Sequence, residues 1–231
     1  MFLFPKYASS RRVISNEDDN TINNNSDSSN NNKCNVNIIN KENNNSKETC
    51  KILTVWRKSL VVNCSGFTVI DSEGKLVYRV DNYGIKPSEI VLMDGSGESI
   101  LTLRRHKTLR LVDDWAIYNG EASNKKQPII SYVKKNINLL LQTNNSNNIL
   151  ANVFMGKSCK RPTYVIEGSY GQRSCKVVDK SLKTIMAEIK RKEAKNGSAS
   201  FGLDVFQLLV LPGFDPGFAM ALVLLIDQMY S

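Results

Sequence analysis

The chain ends in "PGFDPGFAMALVLLIDQMYS", and from Phe218 to Ile226 it carries no polar side chain. Few features restrict a fold so strongly, because a helix that is apolar all round must be covered on every side. Asp215 and Pro216 make a good helix start: the carboxylate accepts from free amide groups, and proline suits the first helical position. A helix from Pro216 to Met229 is about 21 Å long at 1.5 Å per residue. A bilayer core is about 30 Å thick and takes about 20 apolar residues. Asp215 and Asp227 bracket the stretch, and no basic cluster follows it. The tail is too short to span a membrane and too uniformly apolar to lie on a surface. It is expected inside the protein, with Phe218, Met220, Leu222, Val223, Leu225 and Ile226 buried.

Only β structure is available to bury it. "KILTVWRKS" sets Ile52, Thr54 and Trp56 on one face against Leu53, Val55 and Arg57 on the other, which is a strand period. Three later stretches share one shape: "FTVIDSEGKLVYRV", "IVLMDGSGESILTLRR" and "CKVVDKSLKTIMAEIKRK". Each places an Asp-led turn (Asp71, Asp94, Asp179) between β-rich runs and reads as a hairpin. "WAIYNGE" and "PTYVIEGSY" add strands, and "FGLDVFQLLVL" alternates from Phe201 to Leu211 as the last one. An eight-stranded barrel is filled by its own side chains, whereas about eleven strands enclose a central helix. Lys51 to Leu211 supplies about a dozen strands at ordinary strand and turn lengths. The expected fold class is mainly β: a closed barrel of about twelve strands around a buried C-terminal helix.

Before the barrel, Asn16 to Glu48 is dominated by asparagine and serine and offers few apolar anchors. Such composition does not bury enough surface to offset its conformational entropy. Residues 1–49 are therefore read as a disordered leader and 50–231 as the barrel domain, with a flexible Asn-rich loop at about 142–148. The five cysteines are widely spaced and none forms a C-x-x-C, so they read as reduced thiols of a cytosolic or nuclear protein. "MFLFPKYASSRR" is too short in apolar residues for a secretory signal. The expected location is cytoplasmic, peripheral at the membrane or nuclear.

"WRKSLVVNCSGFTVIDSEGKLVYRVDNY", "EIVLMDGSGESILTLRRHK", "YVIEGSYGQRSCKVV", "AEIKRKE" and the tail from Phe201 resemble plant LURP-one-related proteins. The resemblance runs from about Cys50 to Ser231. It implies the tubby-like C-terminal fold, a twelve-stranded barrel around a hydrophobic C-terminal helix. It also implies a relation to phospholipid scramblases and a link to plant defence, but no established biochemical activity. The Asn-rich leader and the "QTNNSNN" loop depart from the family.

Catalytic chemistry finds little support in the residues. The lone histidine, His106, sits in the cationic run "LRRHKTLR" with no marked nucleophile or orienting acid. Asp94 to Glu98 lacks the spacing of a calcium loop, and neither a P-loop nor a dinucleotide fingerprint is present. No enzyme, cofactor or metal is expected.

Positive charge is what remains, at a net +9. It gathers at Arg104, Arg105, Lys107 and Arg110; at Lys157, Lys160 and Arg161; and at Lys190, Arg191, Lys192 and Lys195. One reading is a charged outer face that serves solubility. The functional reading is a site for phosphate groups, which Arg and Lys match in charge and geometry. Arg104, Arg105, Lys107, Arg110, Lys190, Arg191 and Lys192 are the candidate anionic-ligand residues. Few aromatics interleave them, so nucleic acid is the weaker partner. The expectation is a monomeric adaptor or lipid-responsive module in plant defence or stress signalling, bound to anionic headgroups or a signalling protein. The rivals are a scramblase-like membrane protein and a membrane-tethered transcription regulator.

Overall fold

A computed structural model describes residues 49–82, 88–106, 114–121, 128–136, 148–156, 160–193 and 201–230. The leader lies outside the described residues apart from Thr49, as does the Asn-rich loop apart from Asn148.

The strands are β1 (Lys51–Trp56), β2 (Ser65–Ile70), β3 (Leu76–Asn82), β4 (Glu89–Asp94), β5 (Ser99–His106) and β6 (Asp114–Asn119). They continue as β7 (Ile129–Lys135), β8 (Ile149–Met155), β9 (Tyr164–Ser169), β10 (Ser174–Asp179), β11 (Ile185–Arg191) and β12 (Val205–Val210), followed by the helix α1 (Pro216–Tyr230). Each strand pairs antiparallel with the next, and β12 pairs with β1 from Lys51↔Val210 to Trp56↔Val205, closing the barrel. Closure leaves no open sheet edge to recruit another chain.

Alternation along the strands does what the sequence pattern requires. Leu53 and Val55 of β1, Leu101 and Leu103 of β5, and Phe206, Leu208 and Val210 of β12 are buried in one core with the helix. Small inward residues, Ala151, Cys175 and Ala187, join Ala219 and Ala221 of α1 in that core. They let the helix backbone and the wall approach. All six residues expected to be buried on the helix are at most 8% exposed. The Phe218 amide donates to Asp215 Oδ1 at 2.6 Å, which is the expected cap.

The last strand is shorter than its alternation suggests. It begins at Val205, not Phe201, and residues 201–204 form no strand. β1 and β11 end at Trp56 and Arg191, and among the described residues the one backbone bond from 201–204 to β1's side is that from the Arg57 amide to the Asp204 carbonyl. Phe201 and Leu203 therefore stay exposed. β7 and β8 carry no turn signature in the sequence comparable to the Asp-led hairpins, and the ladders reveal them.

Because every pairing is antiparallel, the odd strands all end at one end of the barrel and the even strands at the other. α1 starts beside the ends of the even strands and runs back along the axis. At its start Phe214 stacks on Tyr164 (5.4 Å), and at its finish Lys135 Nζ donates to the Met229 carbonyl. We call the finishing end the mouth and the starting end the base. Asp71, Asp94 and Asp179 all lie at the base and fasten their turns alike. Asp71 Oδ1 accepts from the Glu73 and Lys75 amides, Asp94 Oδ1 from Ser96 and Glu98, and Asp179 Oδ1 from Ser181 and Leu182.

Candidate functional site

The barrel interior is filled, so chemistry is confined to its ends and outer face. At the mouth the last turn of α1 carries Asp227, a carboxylate only 3% exposed at the close of an apolar run. Two strands supply its partners. Arg57, just beyond β1, places Nε 3.1 Å from Asp227 Oδ1, and the Tyr170 hydroxyl, just beyond β9, donates to the same oxygen at 2.9 Å. A buried carboxylate is tolerable only when so paired. Burial, and then the Asp227 charge, push the Tyr170 phenol far above its ordinary value, so it stays a donor. Lys135 completes the lock at the helix carbonyls and lies 4.4 Å over the Tyr230 ring, where a cation suits the negative helix end.

The turn between β9 and β10 carries the next cation. Arg173 adopts a left-handed backbone (φ 52°) and is 5% exposed. Its guanidinium lies between the rings of Tyr170 (4.1 Å) and Phe206 (4.6 Å), and its Nε donates to the Leu203 carbonyl at 2.7 Å. Among the described residues its buried Nη1 has no hydrogen-bond partner. Gly168 makes this turn possible: its φ is +115°, and a Cβ there would sit 2.1 Å from the Ser174 carbonyl oxygen.

Beside this turn a groove of about 580 Å³ opens between the β9–β10 turn, the end of β11 and the start of β12. Gln172, Arg173, Lys190, Arg191, Glu193 and Gln207 line it. Arg191 spends Nε on the Gln172 carbonyl at 3.1 Å, and Lys190 pairs with Glu188 at 2.8 Å. Lys192 turns toward β1 and donates to Thr54 Oγ1 at 2.8 Å. A second cavity of about 390 Å³, lined by Arg57, Lys58, Cys64, Asp204 and Gln228 among others, sits over the helix end.

Of the three basic clusters read from the sequence, the described residues of two, Arg104 and Arg105 on β5 and Lys190 and Arg191 on β11, lie at the same end of the barrel but not in the same place. β5 and β11 are six positions apart whichever way the twelve-strand circle is followed. At ordinary strand spacing and tilt that puts them roughly 20 Å apart across the mouth. Arg104 is tied to Glu89 and lies 5.7 Å over the Tyr118 ring. Arg105 pairs across the ladder with Trp115, and His106 is exposed beside Tyr132. Lys107, Arg110, Lys157 and Lys195 lie outside the described residues. Lys160 and Arg161 precede β9 and belong to the base.

The residues the sequence reading overlooked are Arg57, Tyr170, Arg173 and Asp227 as a set. Asp227 had a visible signal, the one acid ending an apolar helix, but its partners are 57 and 170 residues apart from it along the chain. Among the described residues no group of His, Cys, Asp and Glu is placed to hold a metal ion. Burial pushes the Cys175 thiol up to about 12, with Arg173 offsetting part of that rise. Among the described residues no helix is long and apolar enough to cross a membrane.

The comparisons agree with this architecture. The LURP-one-related family model matches residues 51–227. LURP-one-related protein 17 of Arabidopsis thaliana is 50% identical over 188 residues, covering 79% of this chain and 84% of the relative. LURP-one-related protein 8 of the same plant is 46% identical, covering 78% and 87%. An X-ray structure of an Arabidopsis thaliana protein superposes with a TM-score of 0.57 at 24% identity, over 79% of this chain and 92% of that one, which supports the fold. With the family model spanning almost all of the barrel and its central helix, the chain belongs to the LURP-one-related family.

Proposed function

We propose that the chain is a non-catalytic binding module whose mouth-end groove takes a phosphate-bearing anion, the headgroup of a membrane lipid, in plant stress or defence signalling. The observation that carries this is the groove itself, where Lys190 and Arg191 stand with Gln172, Ser174 and Gln207 around an open volume. Among the described residues Arg191 uses only Nε, for the Gln172 carbonyl, and its terminal nitrogens are the groups offered to an anion's oxygens. Arg173 behind them adds a fixed positive charge. The module works in the cytoplasm at a membrane surface. The buried state of α1 disfavours a scramblase-like reading, since exposing it to lipid would empty the barrel.

Titrating the full chain with soluble inositol trisphosphate tests the reading. Saturable binding that weakens with salt is expected, falling about tenfold or more when Lys190 and Arg191 are both changed to Glu, since each charge-assisted bond is worth about 1.5–3 kcal/mol. No binding, or binding that the double reversal leaves unchanged, overturns it.

A further inference from the structure

Beside the groove the mouth exposes apolar side chains. The loop between β1 and β2 leaves Leu60 50% and Val62 82% exposed, and Trp56, Phe201 and Leu203 next to it are 44%, 45% and 49% exposed. The two segments run side by side, because the Arg57 amide donates to the Asp204 carbonyl at 2.8 Å. The loop is built, not loose. Ser59 is 7% exposed and its hydroxyl donates to Asp81, the Val61 amide donates back to Ser59 Oγ at 3.0 Å, and Thr68 Oγ1 donates to the Lys58 carbonyl at 2.7 Å. Asn63 takes the left-handed turn conformation that closes it. A fixed tip that holds Leu60 and Val62 in water gains nothing for the fold, which points to a partner.

Cations surround the tip and pair with its aromatics. Lys58 Nζ lies 5.2 Å from the Trp56 ring, and Lys192 Nζ 5.6 Å from the Phe201 ring. An aromatic body with an amine at its edge is what a membrane interface accommodates: the ring enters the headgroup layer and the amine stays with the phosphates. We propose that this tip, Leu60 to Val62 with Trp56 and Phe201, inserts into the headgroup layer of an anionic bilayer. The inference rests on the groove reading, which supplies the headgroup contact, and adds a second contact of apolar kind. Insertion stays shallow, because Ser59 and Thr68 hold the loop to the barrel.

Trp56 reports on this directly, since the other tryptophan, Trp115, is 2% exposed in the core. The full chain is mixed with vesicles of phosphatidylcholine alone, or with about one third phosphatidylserine, some carrying brominated acyl chains. Binding to the anionic vesicles is expected, with a blue shift and quenching of tryptophan emission by the bromines. Leu60→Ser with Val62→Ser is expected to lower vesicle partition about tenfold, by the loss of several buried methylenes, and to leave inositol trisphosphate binding and thermal midpoint unchanged. Leu182→Ser, 71% exposed at the base, is expected to change nothing. Vesicle binding without quenching, or undiminished in the Leu60/Val62 variant, overturns insertion while leaving the groove reading intact. A wild type that binds inositol trisphosphate and ignores vesicles does the same. Self-association that the Leu60/Val62 variant abolishes, with no vesicle binding, overturns it in favour of a second copy of the chain.

Discussion

At the base, β2–β3, β4–β5 and β10–β11 reverse through turns fastened by their own aspartates, Asp71, Asp94 and Asp179, to amides two to four residues away. At the mouth, by contrast, the contacts that hold the end together cross the chain: Tyr170 to Asp227, Arg57 to Asp227, Lys135 to Met229 and Tyr230 to the Leu150 carbonyl. Two connections there are also long, with residues 57–64 joining β1 to β2 and 192–204 joining β11 to β12. Local fastening leaves a surface little to offer a ligand. Long-range fastening at the mouth gathers Arg57, Lys135, Arg173, Lys190 and Arg191 onto one end, around a helix terminus whose dipole is negative. The base is built to fold, and the mouth is built to hold charge in place.

The severest test breaks what both ends share. Leu222→Asp puts an unpaired carboxylate where the side chain is 1% exposed, at a cost of several kcal/mol, comparable to the whole stability of a domain. The variant is expected to be insoluble or to lack a cooperative thermal transition, and so is a chain cut after Phe214. Gly168→Ala damages only the mouth. Its φ of +115° and the 2.1 Å approach to Ser174 predict a loss of about 2–3 kcal/mol in a denaturant melt, with the base turns still protected in hydrogen exchange.

Tyr170→Phe is milder. It removes one donor from a buried carboxylate that Arg57 still pairs, and a loss of about 1–2 kcal/mol is expected. A neutral result would show that the Asp227 lock is not shared between ends of distant sequence. Asp94→Ala, in an exposed base turn, gives the smallest effect. Hydrogen bonds from Ser96, then Glu98, hold the Asp94 carboxyl below its ordinary range. A lowered folded value stabilises above the unfolded carboxylate range and is lost as pH falls through the folded value. The variant's deficit should therefore be present at neutral pH and vanish in acid, read as the difference in thermal midpoint between the two pH values.

This contrast also explains what could be read from the sequence. The apolar run from Phe218 to Ile226, the Asp215 cap and the Asp-led turns act over a few residues, and the barrel around a helix follows from them. The end of β12 nearest Phe201 departs from the pattern, because alternation continues through Gly202 and Asp204 after β1 and β11 have ended. Lys190 and Arg191 were visible as charge, but their distance from Arg104 and Arg105 depends on the circular order of strands. Arg173 was not legible as a site residue at all: its left-handed backbone and its place between Tyr170 and Phe206 exist only once β9, β10 and β12 are assembled.

The central claim, that the mouth and not the general positive charge of the barrel holds the anion, is tested most directly by matched charge reversals at the two ends. Lys190→Glu with Arg191→Glu at the mouth and Lys180→Glu with Lys183→Glu at the base change the net charge equally. Inositol trisphosphate binding is measured by calorimetry on each full chain at one salt concentration. The account predicts that the mouth pair weakens binding about tenfold or more while the base pair leaves it within about twofold. Equal weakening by both pairs would contradict it, because only diffuse charge would then be at work.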